Sequence, residues 1–127
     1  MCIRDRNNLR ALMDKSNIHC AGWHGDMTES AWTARVAAAK ILGCDSIGSG
    51  GFPNPGIGSY DNTLRTIEAL NRLGKQSIEG GVGPVYFHNH QEEFQNQYVD
   101  EGVLKPAIDI IMAVSYTHLT LPTILRV

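Results

Sequence analysis

The apolar positions of this chain change period several times, and the changes mark its elements. Leu9, Leu12 and Met13 fall at helical spacing between Asp5 and Ser16, which predicts a short first helix. Ile18 to His24 is a compact run through Cys20 and Trp23 that reads as a buried strand ending at Gly25-Asp26. Thr28 is placed to cap a helix through Trp32, Val36, Ala39 and Leu42, with Gly43 at its stop. Cys44 to Gly48 reads as a second strand, opening into the Ser49 to Gly56 loop, whose glycines and prolines exclude helix. Asp61 or Asn62 is positioned to cap a long helix carrying Leu64, Ile67, Leu70, Leu73 and Ile78, closed by Gly80-Gly81. Val82 to His88 predicts a third strand. After a connection from Gln91 to Asp100, Leu104, Ile108, Ile111 and Met112 mark a last helix, with Pro106 tolerated in its first turn.

Strict alternation of helix and strand, with helices of this length, argues for an α/β fold of about three parallel strands and flanking helices joined by crossovers. In such folds the sites lie beyond the carboxyl ends of the strands. Here those ends are His24, the Ser49 to Asn54 loop and the cluster from His88 to Glu93, and all three fall on one rim.

That cluster follows the densest signal in the chain, Val85-Tyr86-Phe87-His88-Asn89-His90-Gln91-Glu92-Glu93-Phe94. If the backbone is extended through Asn89, Tyr86, His88 and His90 share one face while Val85 and Phe87 share the other. The apolar pair is free to pack, and the histidines are free for polar work. Imidazole nitrogen with carboxylate oxygen suits Mn²⁺, Co²⁺, Zn²⁺ or Fe²⁺, whereas an all-oxygen set would point to Mg²⁺ or Ca²⁺. Neutral His88 or His90 equally suits polarising a carbonyl or shuttling a proton. Glu93 is the better placed carboxylate for a metal, with Glu92 beside it. Hydrogen bonds that merely close the strand end are the alternative. His19, earlier on its strand and on the other face from His24, reads as structural. The Ser49 to Gly56 loop either contacts a phosphate or sugar through backbone N–H groups or simply connects strand to helix, since it lacks the Walker lysine and the third glycine of a dinucleotide loop.

Composition narrows the classes. The chain has 127 residues, 43% hydrophobic and 19% charged, which fits one ordinary domain with a core. A formal net charge of -2 and scattered Lys and Arg do not suggest nucleic acid or an anionic membrane as partners. No apolar run approaches the ~20 residues of a membrane helix, and no signal peptide is visible. Cys2, Cys20 and Cys44 form no Cys-x-x-Cys, so reduced thiols in a cytoplasmic protein are expected.

The two ends carry a different message. Met1-Cys2-Ile3-Arg4-Asp5 can be encoded by ATGTGTATAAGAGAC, whose reverse complement, GTCTCTTATACACAT, reads Val-Ser-Tyr-Thr-His, the residues from Val114 to His118. The string resembles a transposon end used in sequencing-library preparation, and Leu119 to Thr123 resembles the adaptor that follows it. Residues 1–5 and 114–127 are therefore expected to be adaptor-derived, and 6–113 to be the genuine body.

Within that body, Tyr86-Phe87-His88-Asn89-His90-Gln91-Glu92-Glu93-Phe94, preceded by Leu73-Gly74-Lys75, resembles the sugar phosphate isomerase/epimerase family of xylose isomerase-like TIM barrels. The strand ending in His24 and the Gly43 to Gly50 turn into a strand support the likeness. One residue, Phe87, is extra between the tyrosine and the first histidine of the family's Tyr-His-Asn-His-x-x-Glu-Phe segment. The resemblance implies a partial (β/α)₈ barrel whose mouth binds a divalent metal (Mn, Co, Zn or Mg) and a sugar or polyol, and whose reaction is proton transfer next to a carbonyl. It implies His90 and His88 as catalytic, His24 and Asn89 as substrate-binding, and Glu93 as a metal ligand, with the assignment of metal between His88 and Glu93 open. A complete barrel takes roughly 250 residues, so the body is expected to be an internal fragment that lacks further ligands, neither well folded alone nor active. Two other readings remain: a metal-dependent hydrolase of the related endonuclease barrels, disfavoured by Asp26, Glu29, Glu92 and Glu93 on the rim loops, and a non-catalytic sugar-binding module built on Gly50-Gly51.

Overall fold

The structure, a computed structural model, describes residues 3–114. In order the elements are α1 (Ile3–Lys15), β1 (Trp23–His24), α2 (Glu29–Leu42), β2 (Ile47–Ser49), α3 (Tyr60–Glu79), β3 (Val85–Phe87), α4 (Glu92–Gln95), β4 (Gln97–Asp100), β5 (Val103–Pro106) and α5 (Ala107–Val114). Of the segments expected to be adaptor-derived, residues 1–2 and 115–127 lie outside the described residues.

The expected parallel sheet is present in the expected order, β1-β2-β3, with Trp23 opposite Ile47, His24 opposite Gly48, and Ile47, Gly48 and Ser49 opposite Val85, Tyr86 and Phe87. Alternation then gives the sheet two unlike faces. Ile47, Val85 and Phe87 join the core with Trp32, Leu42, Ile67, Leu70, Leu73 and Ile111 from the helices, all buried. Gly48, His24 and Tyr86 occupy the other face. Burial of α3 recurs at Thr63, Thr66, Ile67, Leu70, Leu73, Gly74 and Ser77, one helical stripe. Its buried hydroxyls are paired, Thr66 Oγ1 donating to the Gly56 carbonyl at 2.7 Å and Ser77 Oγ to that of Gly83 at 2.8 Å. Trp32, fully buried on α2, donates its indole N–H to the Leu73 carbonyl at 3.0 Å and so ties α2 to α3.

Helix ends explain why the strands are shorter than the apolar runs. After α1, Asn17 takes a left-handed φ of 53°, its N–H bonds to the Asp14 carbonyl, and the Ile18 N–H bonds back to Met13 at 2.8 Å. Ile18 thus finishes the helix instead of starting a strand, and it is exposed. The predicted strand from Ile18 shrinks to Trp23–His24 plus an isolated bridge at Cys20. Gly43 at φ 67° and Gly81 at φ 80° end α2 and α3 by the same pair of backbone bonds, Cys44 N–H to Ala39 and Val82 N–H to Ser77.

Other details differ from expectation. The cap of α3 is Ser59, whose Oγ accepts the Asn62 N–H at 3.2 Å, and Asp61 and Asn62 already lie inside the helix. Thr28 does hold the N-cap of α2, but its hydroxyl donates to Asp26 rather than serving the helix. The Gln91 to Asp100 connection contains a helical turn and the first strand of an antiparallel hairpin, so alternation is not strict. Glu101 and Gly102, at φ 50° and 80°, form the two-residue turn joining β4 to β5. Leu104 therefore sits on β5, opposite Val99, and α5 begins only after Pro106.

Candidate functional site

Each of the three predicted strand ends reaches the same rim. The Gly25 N–H bonds to the Gly48 carbonyl at 2.9 Å and the His88 N–H to the Ser49 carbonyl at 2.8 Å, so the ladder carries the chain past the formal ends of β1 and β3 and fixes where the histidines begin. His24 and His88 face one another with ring centroids 6.1 Å apart, and His88 and His90 follow at 4.9 Å, both edge to face. All three are exposed. His24 also leans over Gly50, where a β-carbon would stand 3.0 Å from its Cε1.

Beneath the imidazoles lies Tyr86. Its ring is parallel to His24, with centroids 6.2 Å apart and planes within 13°. It covers Gly48 and approaches Gly22, whose added β-carbon would meet the phenol oxygen at 3.3 Å. Burial pushes the Tyr86 phenol above its ordinary pKa of 10.0. Tyr86 is the residue that the sequence reading assigned to the histidine face without giving it a task. Its signal is the pairing of a large ring with Gly48 on the adjoining strand and with Gly22 just before β1.

A cavity of about 660 Å³ opens beside this cluster, between the loop carrying Gly50, Gly51 and Phe52 and the segment from His90 to Glu93. Phe52 packs on Phe87 with centroids 4.8 Å apart, which anchors the loop to the core face of β3. Glu93, 3% exposed, accepts the His90 N–H at 2.8 Å through Oε2 and so shapes the turn that presents His90. Hydrogen bonding that closes the strand end, the alternative weighed for this cluster, is thus present in the very residue expected to bind metal. His90 and Glu93 line the cavity, whereas His24, His88 and Asn89 do not; Asn89 stands exposed between its two histidines.

No group of three or more His, Cys, Asp or Glu side chains is positioned to hold a metal ion among the described residues. The donor set on this rim is therefore not a complete metal site. His19 lies elsewhere, exposed and paired with Asp45 at 2.6 Å. Cys20 and Cys44, expected as reduced thiols, are instead joined in a disulfide across β1 and β2, with Cα atoms 4.5 Å apart. Local spacing could not reveal the pair, because 24 residues and an entire helix separate two positions that a parallel ladder makes neighbours. A second polar group lies on the hairpin: Tyr60 donates to Asp100 at 2.7 Å, and Lys105 bonds the other carboxylate oxygen at 2.7 Å. Lys105 and then Tyr60 hold the Asp100 carboxyl below its usual range, and the carboxylate raises both partners. No described helix is long and apolar enough to cross a membrane.

Neither the protein-family models nor the curated proteins give a match to this chain. Among solved structures it is similar to a sugar phosphate isomerase/epimerase from Parabacteroides distasonis, with a TM-score of 0.69 and 16% sequence identity over 87% of this chain. The match covers 43% of that protein, so the chain spans less than half its length. What the likeness establishes is architecture: three parallel strands with flanking helices, the fold of part of a TIM barrel such as that isomerase/epimerase forms.

Proposed function

We propose that this chain supplies one arc of the mouth of a sugar (phosphate) isomerase/epimerase. The observation that carries the reading is the convergence of His24, the Gly50 to Phe52 loop and the His88 to Glu93 segment on one rim, beside a cavity of about 660 Å³ that the loop, His90 and Glu93 line. The solved relative of the same fold bears that name, which supports the class. In this reading His90 and His88 move the proton next to the substrate carbonyl, each able to accept or release one at an imidazole nitrogen. His24 and Asn89 bind substrate hydroxyls. Tyr86 is the rigid surface against which His24 is held.

Glu93 is the carboxylate offered to a divalent ion, Mn, Co, Zn or Mg. The donors present do not complete such a site, so no step is derived through the metal, and further ligands must come from outside the described residues. For that reason the chain alone is expected to bind weakly and not to turn over. Acidic side chains on the rim loops favour a neutral or metal-bridged polyol over a bare polyanion such as DNA.

Chemical-shift mapping of the isotopically labelled full chain tests the assignment. Fructose 6-phosphate should shift His24, His88 and His90, and Mn²⁺ should broaden the His90 and Glu93 amides, less so in Glu93→Gln. No solvent deuterium should enter the sugar. Shifts confined to other surfaces, or none at any ligand concentration, would overturn the reading.

A further inference from the structure

We propose that Cys20–Cys44 is a reversible thiol–disulfide site that sets how firmly the strand bearing His24 is docked on the sheet. The inference does not depend on the sugar reading. β1 is two residues long and is the outer strand of the described sheet. Besides its two-residue ladder with β2, it and its approach are held by backbone bonds from Trp23 N–H to Ser46 at 3.1 Å, Gly25 N–H to Gly48 at 2.9 Å, and Asp45 N–H to the Cys20 carbonyl at 3.0 Å. Ser46 Oγ adds a bond to the Ala21 carbonyl at 2.9 Å. Apolar anchorage is poor on the way in, because Ile18, His19, Ala21 and Gly22 are all exposed and only Cys20 turns toward the core, against buried Cys44. The covalent bond therefore substitutes for the packing this segment lacks. It also closes a loop that contains β1 and all of α2, so the unit that presents His24 is tied at both ends.

The bond sits at the amino ends of the strands, away from the rim; Cys44 is buried, but Cys20 is only half-buried between exposed His19 and Ala21, and it is the side from which a small reagent would approach. A low-molecular-weight thiol of the glutathione class is the co-reactant. Its thiolate attacks one cysteine sulfur, the sulfur–sulfur bond breaks, and the other cysteine leaves as a thiolate. A second small thiolate then attacks the mixed disulfide, giving two cysteine thiols after protonation and one small-molecule disulfide. Oxidation is the reverse. In the reduced chain β1 keeps its hydrogen bonds and the packing of Trp23 on the core beneath Arg35, but it loses its covalent tether, and His24 parts more often from Tyr86 and His88.

Hydrogen exchange on the full chain carrying Cys2→Ser, oxidised and reduced, tests this. The oxidised chain should be monomeric on a non-reducing gel and show no free thiol when denatured, with two appearing after dithiothreitol. Reduction should accelerate exchange in residues 18–26 by at least about tenfold while β2, β3 and α3 keep their rates. Cys44→Ser in the same background should exchange fast under both conditions. Two free thiols in the oxidised chain, a disulfide-linked dimer, unchanged exchange in 18–26, or equal acceleration throughout the chain would each overturn the proposal.

Discussion

His24 and Tyr86 lie with their rings parallel, centroids 6.2 Å apart, on adjoining sides of Gly48. The tyrosine reaches that position because the middle strand offers no side chain there. A β-carbon on Gly48 would stand 2.2 Å from the Tyr86 carbonyl oxygen and 2.6 Å from its ring. One of those obstacles is backbone and has no rotamer to relax into.

Gly48→Ala should therefore cost about 3 kcal/mol, at the upper end of overpacking penalties, and separate Tyr86 from His24. Urea denaturation gives the stability, and nuclear Overhauser contacts between the two rings give the geometry. Gly51→Ala is the control: nothing lies within 4 Å of its added β-carbon, and its effect should stay within about 0.5 kcal/mol. Equal effects from the two substitutions would refute the packing account.

At Glu93 the prediction separates shape from charge. Its buried carboxylate accepts the His90 N–H. Glu93→Gln keeps an acceptor oxygen and should retain the turn, whereas Glu93→Ala leaves the N–H unpaired and should cost about 2 kcal/mol. Exchange of the His90 amide reads the difference directly. Should the alanine variant protect that amide as well as glutamine does, the bond is not what holds the turn.

The hairpin should come off the body at both ends of the pH scale. Asp100 has a lowered folded pKa, so its contribution is full above the ordinary 3.8 and is lost as pH falls through the lower folded value. Tyr60 and Lys105 have raised folded values, so theirs is full below the ordinary 10.0 and 10.5 and is lost as pH rises through the folded ones. Tyrosine fluorescence and amide exchange across 97–106 should show both transitions, and Asp100→Asn should remove the acid one. An acid transition unchanged in Asp100→Asn would place its origin elsewhere.

Much of the sheet was readable beforehand because buried strands and amphipathic helices leave different periods, and because Gly43 and Gly81 stand where left-handed stops must be. The shared rim followed from parallel topology, and the structure sets His24 and His88 6.1 Å apart on it. The hairpin was hidden by its own exposure. Val99, Val103 and Leu104 are apolar yet 64%, 55% and 61% exposed, so Leu104 mimicked the start of the apolar stripe of α5. Ser59 is hard to tell from Asp61 and Asn62 in the sequence because all three are good capping residues, and only the extended φ of -153° and the bond from the Asn62 N–H select it. The split of the site into an imidazole cluster and a cavity reached by His90 and Glu93 depends on turns that no spacing rule encodes.

The three helix stops, at Asn17, Gly43 and Gly81, are variations on one joint, and each returns the chain to the sheet at the end opposite His24, His88 and His90. The helix stops and the loops that carry His24, His88 and His90 thus lie at opposite ends of the strands. A lineage can rewrite the loops at the rim, changing what is bound or transformed, while the joints that keep the repeats in step stay untouched. Such a division leaves the rim loops free to vary without redesigning how the sheet stands.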